Sequence, residues 1–174
     1  TEDLHNYIML VTSGDDGATW SGLKLVIDPD GDGVCRAFDP CLWHDPQGRL
    51  WLFWAQRGVH GPHSTAHTWA IVTEDAAVES PKWSAPRLVH QGIMMNKPTV
   101  TSAGTWLLPM ATWFEEGSCL VVASEDRGAT FRTIGRVNVP RREDRNCDEP
   151  MIVERMDGSL WLLVRTRYGI GGAE

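Results

Sequence analysis

A chain of 174 residues with 42% hydrophobic and 22% charged residues is long enough for one domain with a real core, and that balance excludes a disordered segment. The formal net charge of −7 argues against a nucleic-acid surface and gives no long-range pull on anions, so an anionic ligand needs a local arginine cluster. No apolar run approaches the ~18 residues that span a bilayer, so no membrane contact is expected, and Thr1-Glu2-Asp3-Leu4-His5 has neither the basic start nor the apolar middle of a signal peptide.

In chain order, short apolar runs alternate with Gly, Pro and Asp turns and none holds a helical period, so the expected fold class is all-β. The clearest strands fall at residues 7–12, 23–27, 50–55, 68–72, 105–110, 119–123, 151–154 and 160–165. Several are apolar on both faces, as strands sandwiched between neighbouring sheets would be.

Two repeats run through the chain. The first, Ser13-Gly-Asp15-Asp-Gly17-Ala-Thr19-Trp20, returns as Ser124-Glu-Asp126-Arg-Gly128-Ala-Thr130-Phe131, with a degraded copy at Thr73-Glu-Asp75 followed by Trp83. The starts are 60 and 51 residues apart, the length of a four-stranded β-propeller blade with its loops. The second repeat is a charged residue before proline, an apolar strand, a Gly turn and another apolar strand. It reads Asp39-Pro40 to Gly48 and Trp51, Lys97-Pro98 to Gly104 and Leu107, and Glu149-Pro150 to Gly158 and Trp161. Interleaved, each proline-led hairpin supplies the first two strands of a blade and each Ser-x-Asp motif joins the last two. The expected division is a half-blade at 1–33, blades at 34–91 and 92–140, and a half-blade at 141–174. Propellers close with about four to eight blades, so three blades' worth predicts either part of a larger ring or a homodimer that exchanges half-blades through its edge strands.

The Ser-x-Asp-x-Gly-x-Thr-Trp motif needs only local chemistry. Ser13 and Asp15, like Ser124 and Asp126, can hydrogen-bond turn backbone; Gly17 and Gly128 admit positive φ; Trp20 and Phe131 pack back over the hairpin. These residues are expected to be turn staples rather than chemistry.

With this Asp box in blades of roughly this length, nearly the whole chain resembles the central part of the sialidase (neuraminidase) superfamily. The resemblance implies that Asp39 lines an acidic-sugar pocket, that Glu149 is the carboxylate activating a tyrosine nucleophile, and that Arg165 is one of three arginines clamping the substrate carboxylate. It also implies an extracytoplasmic setting and no cofactor. A planar guanidinium suits a carboxylate clamp, and a tyrosine nucleophile is the sialidase exception among glycosidases. Lys97 is expected at the place in its blade that Asp39 and Glu149 take in theirs, although the family assigns it no role, and Trp43, Trp69 and Trp113 are candidates for sugar stacking; Trp51, Trp54 and Trp161 are expected between blades. The family's nucleophilic tyrosine and two other clamp arginines have no counterpart here, since neither Tyr7 nor Tyr168 matches the nucleophile's context, so a catalytically incomplete unit is expected. A non-catalytic carbohydrate-binding or assembly module, and a hydrolase or lyase of another acidic polysaccharide, are the rival readings.

Weaker constellations complete the sequence. Asp28-Pro-Asp30-Gly-Asp32-Gly33 has the opening of a calcium loop but the flanks of a turn between strands. His60, His63 and His67 fall in one loop, and Arg141-Arg142-Glu143-Asp144-Arg145 reads as a solvated, charge-mixed loop. Cys35, Cys41, Cys119 and Cys147 show no metal-ligand spacing and read as thiols packed in the core. No metal site is expected.

Overall fold

The computed structural model describes residues 3–58, 65–112, 118–145 and 149–165, and there the regular structure is antiparallel β with a 3-10 turn at Arg142–Asp144. The first sheet pairs β1 (Ile8–Leu10) with β2 (Leu25–Ile27). The second is a meander of β3 (Arg36–His44), β4 (Leu50–Arg57), β5 (His67–Thr73) and β6 (Arg87–Gln91). In the third, β9 (Trp106–Ala111), β10 (Cys119–Ser124) and β11 (Arg132–Val137) follow an inner strand split into β7 (Ile93–Met94) and β8 (Thr99–Val100), both paired with β9. The fourth pairs β12 (Pro150–Glu154) with β13 (Leu160–Val164).

One turn closes the opening hairpin of the last three sheets. The N–H groups of Asp45, Thr101 and Arg155 donate to the carbonyls of Arg49, Thr105 and Ser159, and Gly48, Gly104 and Gly158 donate back to Asp45, Thr101 and Arg155. The glycines sit at φ of 80°, 84° and 81°, which a side chain resists.

The sheets stack face to face in chain order. Between the second and third, Trp106 meets Trp43 edge-on at 4.7 Å and Trp51 at 5.7 Å, and Trp51 stacks on Phe53 at 5.5 Å. Truncating any one of these buried indoles costs about 3–5 kcal/mol. Ile8, Ala37, Leu52, Trp54 and Ile71 fill the seam between the first and second sheets, and Leu107, Ala123 and Ile152 the seam between the third and fourth. Because the third sheet is covered on both faces, every residue of β9 is buried, which is why its sequence shows no alternation. Trp161 lies on the face of the fourth sheet opposite Ile152. It is 58% exposed, on a fourth sheet that other described strands cover on one side only, with the Arg155 guanidinium 5.0 Å from its ring.

The two Asp boxes form the same bonds. Ser13 Oγ donates to Asp15 Oδ1 at 2.8 Å and accepts from Gly17 N at 2.8 Å, while Asp15 accepts from Thr19 N at 2.8 Å and Thr19 Oγ1 at 2.6 Å. Ser124, Asp126, Gly128 and Thr130 repeat them at 2.8, 2.8, 2.9 and 2.5 Å. The threonine donors hold both carboxyls at a pKa of about 2. Phe131 is half-buried against the central core, whereas Trp20 lies over Gly17 but stays 63% exposed.

Strands β6 and β11 carry neither of the signals, apolar run or proline-led hairpin, that mark most of the other strands in the sequence. Both are last strands of their sheets, and the Arg-Thr-Ile-Gly-Arg-Val of β11 is almost wholly solvent-facing.

Candidate functional site

Glu149 immediately precedes β12, and Arg165 immediately follows β13, so the hairpin brings them opposite each other. Arg165 Nη1 donates to Glu149 Oε1 at 2.5 Å, and the backbone N of Arg165 makes a long contact of 3.5 Å to the Glu149 carbonyl. The pair is open to solvent, so its contribution to stability is about 0–1 kcal/mol. One N–H of the guanidinium fork is engaged in that bond; the fork's other donors suit a second acceptor.

The internal repeat shows how unusual Arg165 is. Counting seven residues on from the hairpin glycines Gly48, Gly104 and Gly158 reaches Ala55, Ala111 and Arg165. Ala55 and Ala111 are fully buried, so packing selects the smallest side chain at this place in two sheets, and the third carries a guanidinium paired with a carboxylate.

The inner strand of the third sheet holds β12 in place through side chains. Asn96 Nδ2 donates to the Pro150 carbonyl at 2.9 Å, and Thr99 Oγ1 to the Ile152 carbonyl at 2.5 Å. Ser102 gives Glu154 both its N–H, at 2.7 Å, and its hydroxyl, at 2.9 Å. These donors recur every third residue and anchor the strand that Glu149 opens. Sequence reasoning missed them; the spacing of Asn96, Thr99 and Ser102 was visible, but the carbonyls they would meet belong to another sheet.

Asp39 is not at the opening of its strand. Strand β3 starts three residues earlier, and Asp39 sits where its register slips between Phe38 and Cys41, at φ 50°. Such a bulge re-aims side chains, and a positive φ away from glycine is uncommon. Lys97 falls in the analogous interruption between β7 and β8, and is exposed. It is nonetheless out of step with the other two: Asp39 and Glu149 stand nine residues before their hairpin glycines, Lys97 seven before Gly104, and Met95 takes the equivalent place. The three charges therefore do not share one position, a correction to the sequence reading. Trp43 is corrected too. It is 9% exposed and wedged against Trp106 and Phe53, so its ring serves the core and not a ligand. Trp69 is half-buried, and Trp113 lies outside the described residues.

Asp28 Oδ1 accepts from Gly31 N at 3.0 Å and Asp30 Oδ2 from Cys35 N at 2.7 Å, so both carboxylates cap their own turn. Among the described residues no group of three or more His, Cys, Asp or Glu is placed to hold a metal ion. His60, His63, Cys147 and Tyr168 lie outside the described residues, and His67 Nδ1 is 3.1 Å from the Thr65 carbonyl. Arg141 Nε binds Asp144 at 2.6 Å and Arg145 Nε the Val139 carbonyl at 2.7 Å, folding the basic cluster onto itself. Cys119 is buried, while Cys35 and Cys41 are half-buried, and burial pushes both of the latter thiols up in pKa.

A second cluster escaped the sequence reading. Asp45, 4% exposed, accepts from Arg49 Nε at 2.6 Å and Trp51 Nε1 at 2.9 Å. Burial raises its pKa, but the Trp51 and Arg49 donors and the Arg49 charge outweigh that, and the carboxyl lies below its ordinary value. Arg49 Nη2 then reaches the Arg127 carbonyl at 2.7 Å, while Arg87 bonds the carbonyls of Gly128 and, at 3.2 Å, Ala129. Two arginines of the second sheet thus grip the second Asp box.

Residues 7–172 match the model of the BNR repeat-like domain family. Among curated proteins none matches. Among solved structures the chain is similar to a protein of unknown function from Dyadobacter fermentans, with a TM-score of 0.71 and 18% identity over 95% of this chain and 53% of that one. It is also similar to the Hadza microbial sialidase Hz136, with a TM-score of 0.69 and 19% identity over 96% of this chain and 37% of that one. The chain therefore spans about half of the first structure's length and little more than a third of the second's, and at these identities the likeness is one of fold.

Proposed function

Because the chain belongs to the BNR repeat-like domain family and has the fold of a sialidase-type propeller, we propose that Glu149 and Arg165 form part of a pocket for the carboxylate of an acidic sugar in a glycoside hydrolase. The observation that carries this reading is the place of Arg165, where the two preceding repeats bury alanine. An arginine that packing does not call for, beside a carboxylate and at the open end of a hairpin, is suited to an acid ligand. In this reading Arg165 takes the sugar carboxylate and Glu149 receives the proton of a tyrosine nucleophile. The family's nucleophilic tyrosine and two partner arginines have no match among this chain's residues, so in this reading the chain alone does not turn over a sialoside. Asp39, turned by its bulge, serves the same pocket.

Calorimetric titration with N-acetylneuraminic acid tests this. Binding weakened at least tenfold in Arg165→Ala and retained in Glu149→Gln is expected, together with no release of fluorophore from a fluorogenic sialoside. Affinity indifferent to Arg165→Ala would overturn the clamp. Binding of other uronic acids in preference would turn the reading to another acidic polysaccharide.

The faces of the first and fourth sheets left uncovered by described strands carry Met9, Val26, Met151, Val153 and Trp161. A second copy is proposed to cover them by pairing half-blades; a monomeric mass at micromolar concentration would refute that arrangement.

A further inference from the structure

The second sheet carries a cavity of about 190 Å³ at the end away from its Asp-containing turns. Its walls include Cys35 ahead of β3, Gln56 and Arg57 closing β4, His67 and Trp69 on β5, and Leu88 on β6. Gln56 pairs across the strands with His67, and Trp69 with Leu88, so these four side chains stand together on the face that meets β1 and β2. Trp69 packs at the margin of the Ile8–Trp54 cluster, and the cavity lies where that cover ends and Leu88 becomes 53% exposed.

The chemistry of the walls is mixed in a specific way. Trp69 and Leu88 offer a flat apolar side. The Thr65 carbonyl, 3.1 Å from His67 Nδ1, can only accept, so the proton of a neutral His67 is on Nδ1 and Nε2 is an acceptor. Gln56 Oε1 is engaged by Trp54 Nε1 at 3.4 Å and the Gln56 side chain also hydrogen-bonds the Cys35 thiol, which leaves one amide N–H donor for another partner. One acceptor and one donor beside an indole match a pair of ring hydroxyls on a molecule with an apolar face. No carboxylate lines the cavity, and its cationic wall residue, Arg57, has a partner of its own, so the walls do not call for an ionic ligand; the cavity is smaller than the ~300–1,000 Å³ of drug-sized sites, a size for one ring.

We propose that this cavity is a second, independent subsite for a neutral pyranose, stacked on Trp69 and hydrogen-bonded by Gln56 and His67. It does not depend on the acid-sugar reading of Glu149 and Arg165, which lie on the fourth sheet.

Saturation-transfer NMR with methyl β-galactoside as probe tests it, since the hydrogens at ring positions 3, 4 and 5 of that sugar make one continuous apolar patch. Transfer to those protons is expected in the unmodified chain, reduced at least fivefold in Trp69→Ala and in Leu88→Arg, and unchanged in Arg165→Ala. Leu88→Arg fills the cavity from an exposed position, so it reads the site even if Trp69→Ala unfolds the chain, which circular dichroism reports. No transfer in the unmodified chain, or transfer that survives Leu88→Arg, overturns the subsite. Transfer lost in Arg165→Ala and kept in Leu88→Arg also overturns it, and places the sugar at the other site instead.

Discussion

The Asp boxes at residues 13–20 and 124–131 are the same turn in two surroundings. Their serine, aspartate and threonine bonds agree within about 0.1 Å, their glycines share φ near 88° and 83°, and both aspartates titrate near 2. Around the first, a Cβ added to Gly17 would meet Trp20 at 3.6 Å and little else. Around the second, a Cβ on Gly128 would lie 2.6 Å from Trp106 and 2.9 Å from Trp51, beneath the grip of Arg49 and Arg87. The motif therefore closes a turn by itself, and whether that turn also ties blades together depends on residues far away in the sequence.

The widest separation between the boxes should come from removing the platform under the second. Asp45→Ala strips Arg49 and Trp51 of a buried acceptor and is expected to cost about 3 kcal/mol, read as a lower denaturant midpoint at unchanged slope, with faster amide exchange at 124–131 and none of that change at 13–20. Next come the glycines. Gly17→Ala meets only the cost of positive φ, about 1 kcal/mol, while Gly128→Ala adds a clash with two indoles, for about 2–4 kcal/mol in all. Equal losses in the two variants would mean that the docking contributes nothing. Arg87→Lys keeps a charge but cannot span two carbonyls as the planar fork does, and about 1 kcal/mol is expected. The smallest effect should be common to both boxes. A carboxyl depressed in the folded chain from 3.8 to about 2 adds stability above the unfolded value, and that stability is lost as pH falls toward 2. Asp15→Asn and Asp126→Asn should each flatten the acid limb of a stability titration between about pH 4 and 2, by similar amounts.

What the sequence disclosed and what it hid divides along the same line. The Asp-box bonds were legible because donor and acceptor lie within four residues of each other, so identity and spacing define the geometry. The all-β class followed from apolar runs such as Leu50 to Ala55, which need no partner to be seen. The links of Asn96 and Thr99 to β12, and of Arg49 and Arg87 to the second box, join residues some 40 to 80 positions apart, and no local pattern announces them. Trp43 was misread for a related reason: a tryptophan near a proline-led strand looks available for a ligand until the facing sheet supplies Trp106. Lys97 differs again. Its offset was present in the sequence, but it shows only when the hairpin glycine, rather than the proline, is used as the ruler. Glu149 and Arg165 were singled out from family resemblance; their ion pair adds geometry to those two residues.

The recurring hairpin turn makes part of this molecule portable. Residues 45–49, 101–105 and 155–159 close in one backbone geometry although their side chains differ. Grafting Asp-Pro-Gln-Gly-Arg into either of the other two places should leave strand register untouched. The graft would carry the loop's shape to its new address but not the anchoring, because the indole and the neighbouring box that Asp45 and Arg49 answer would stay behind.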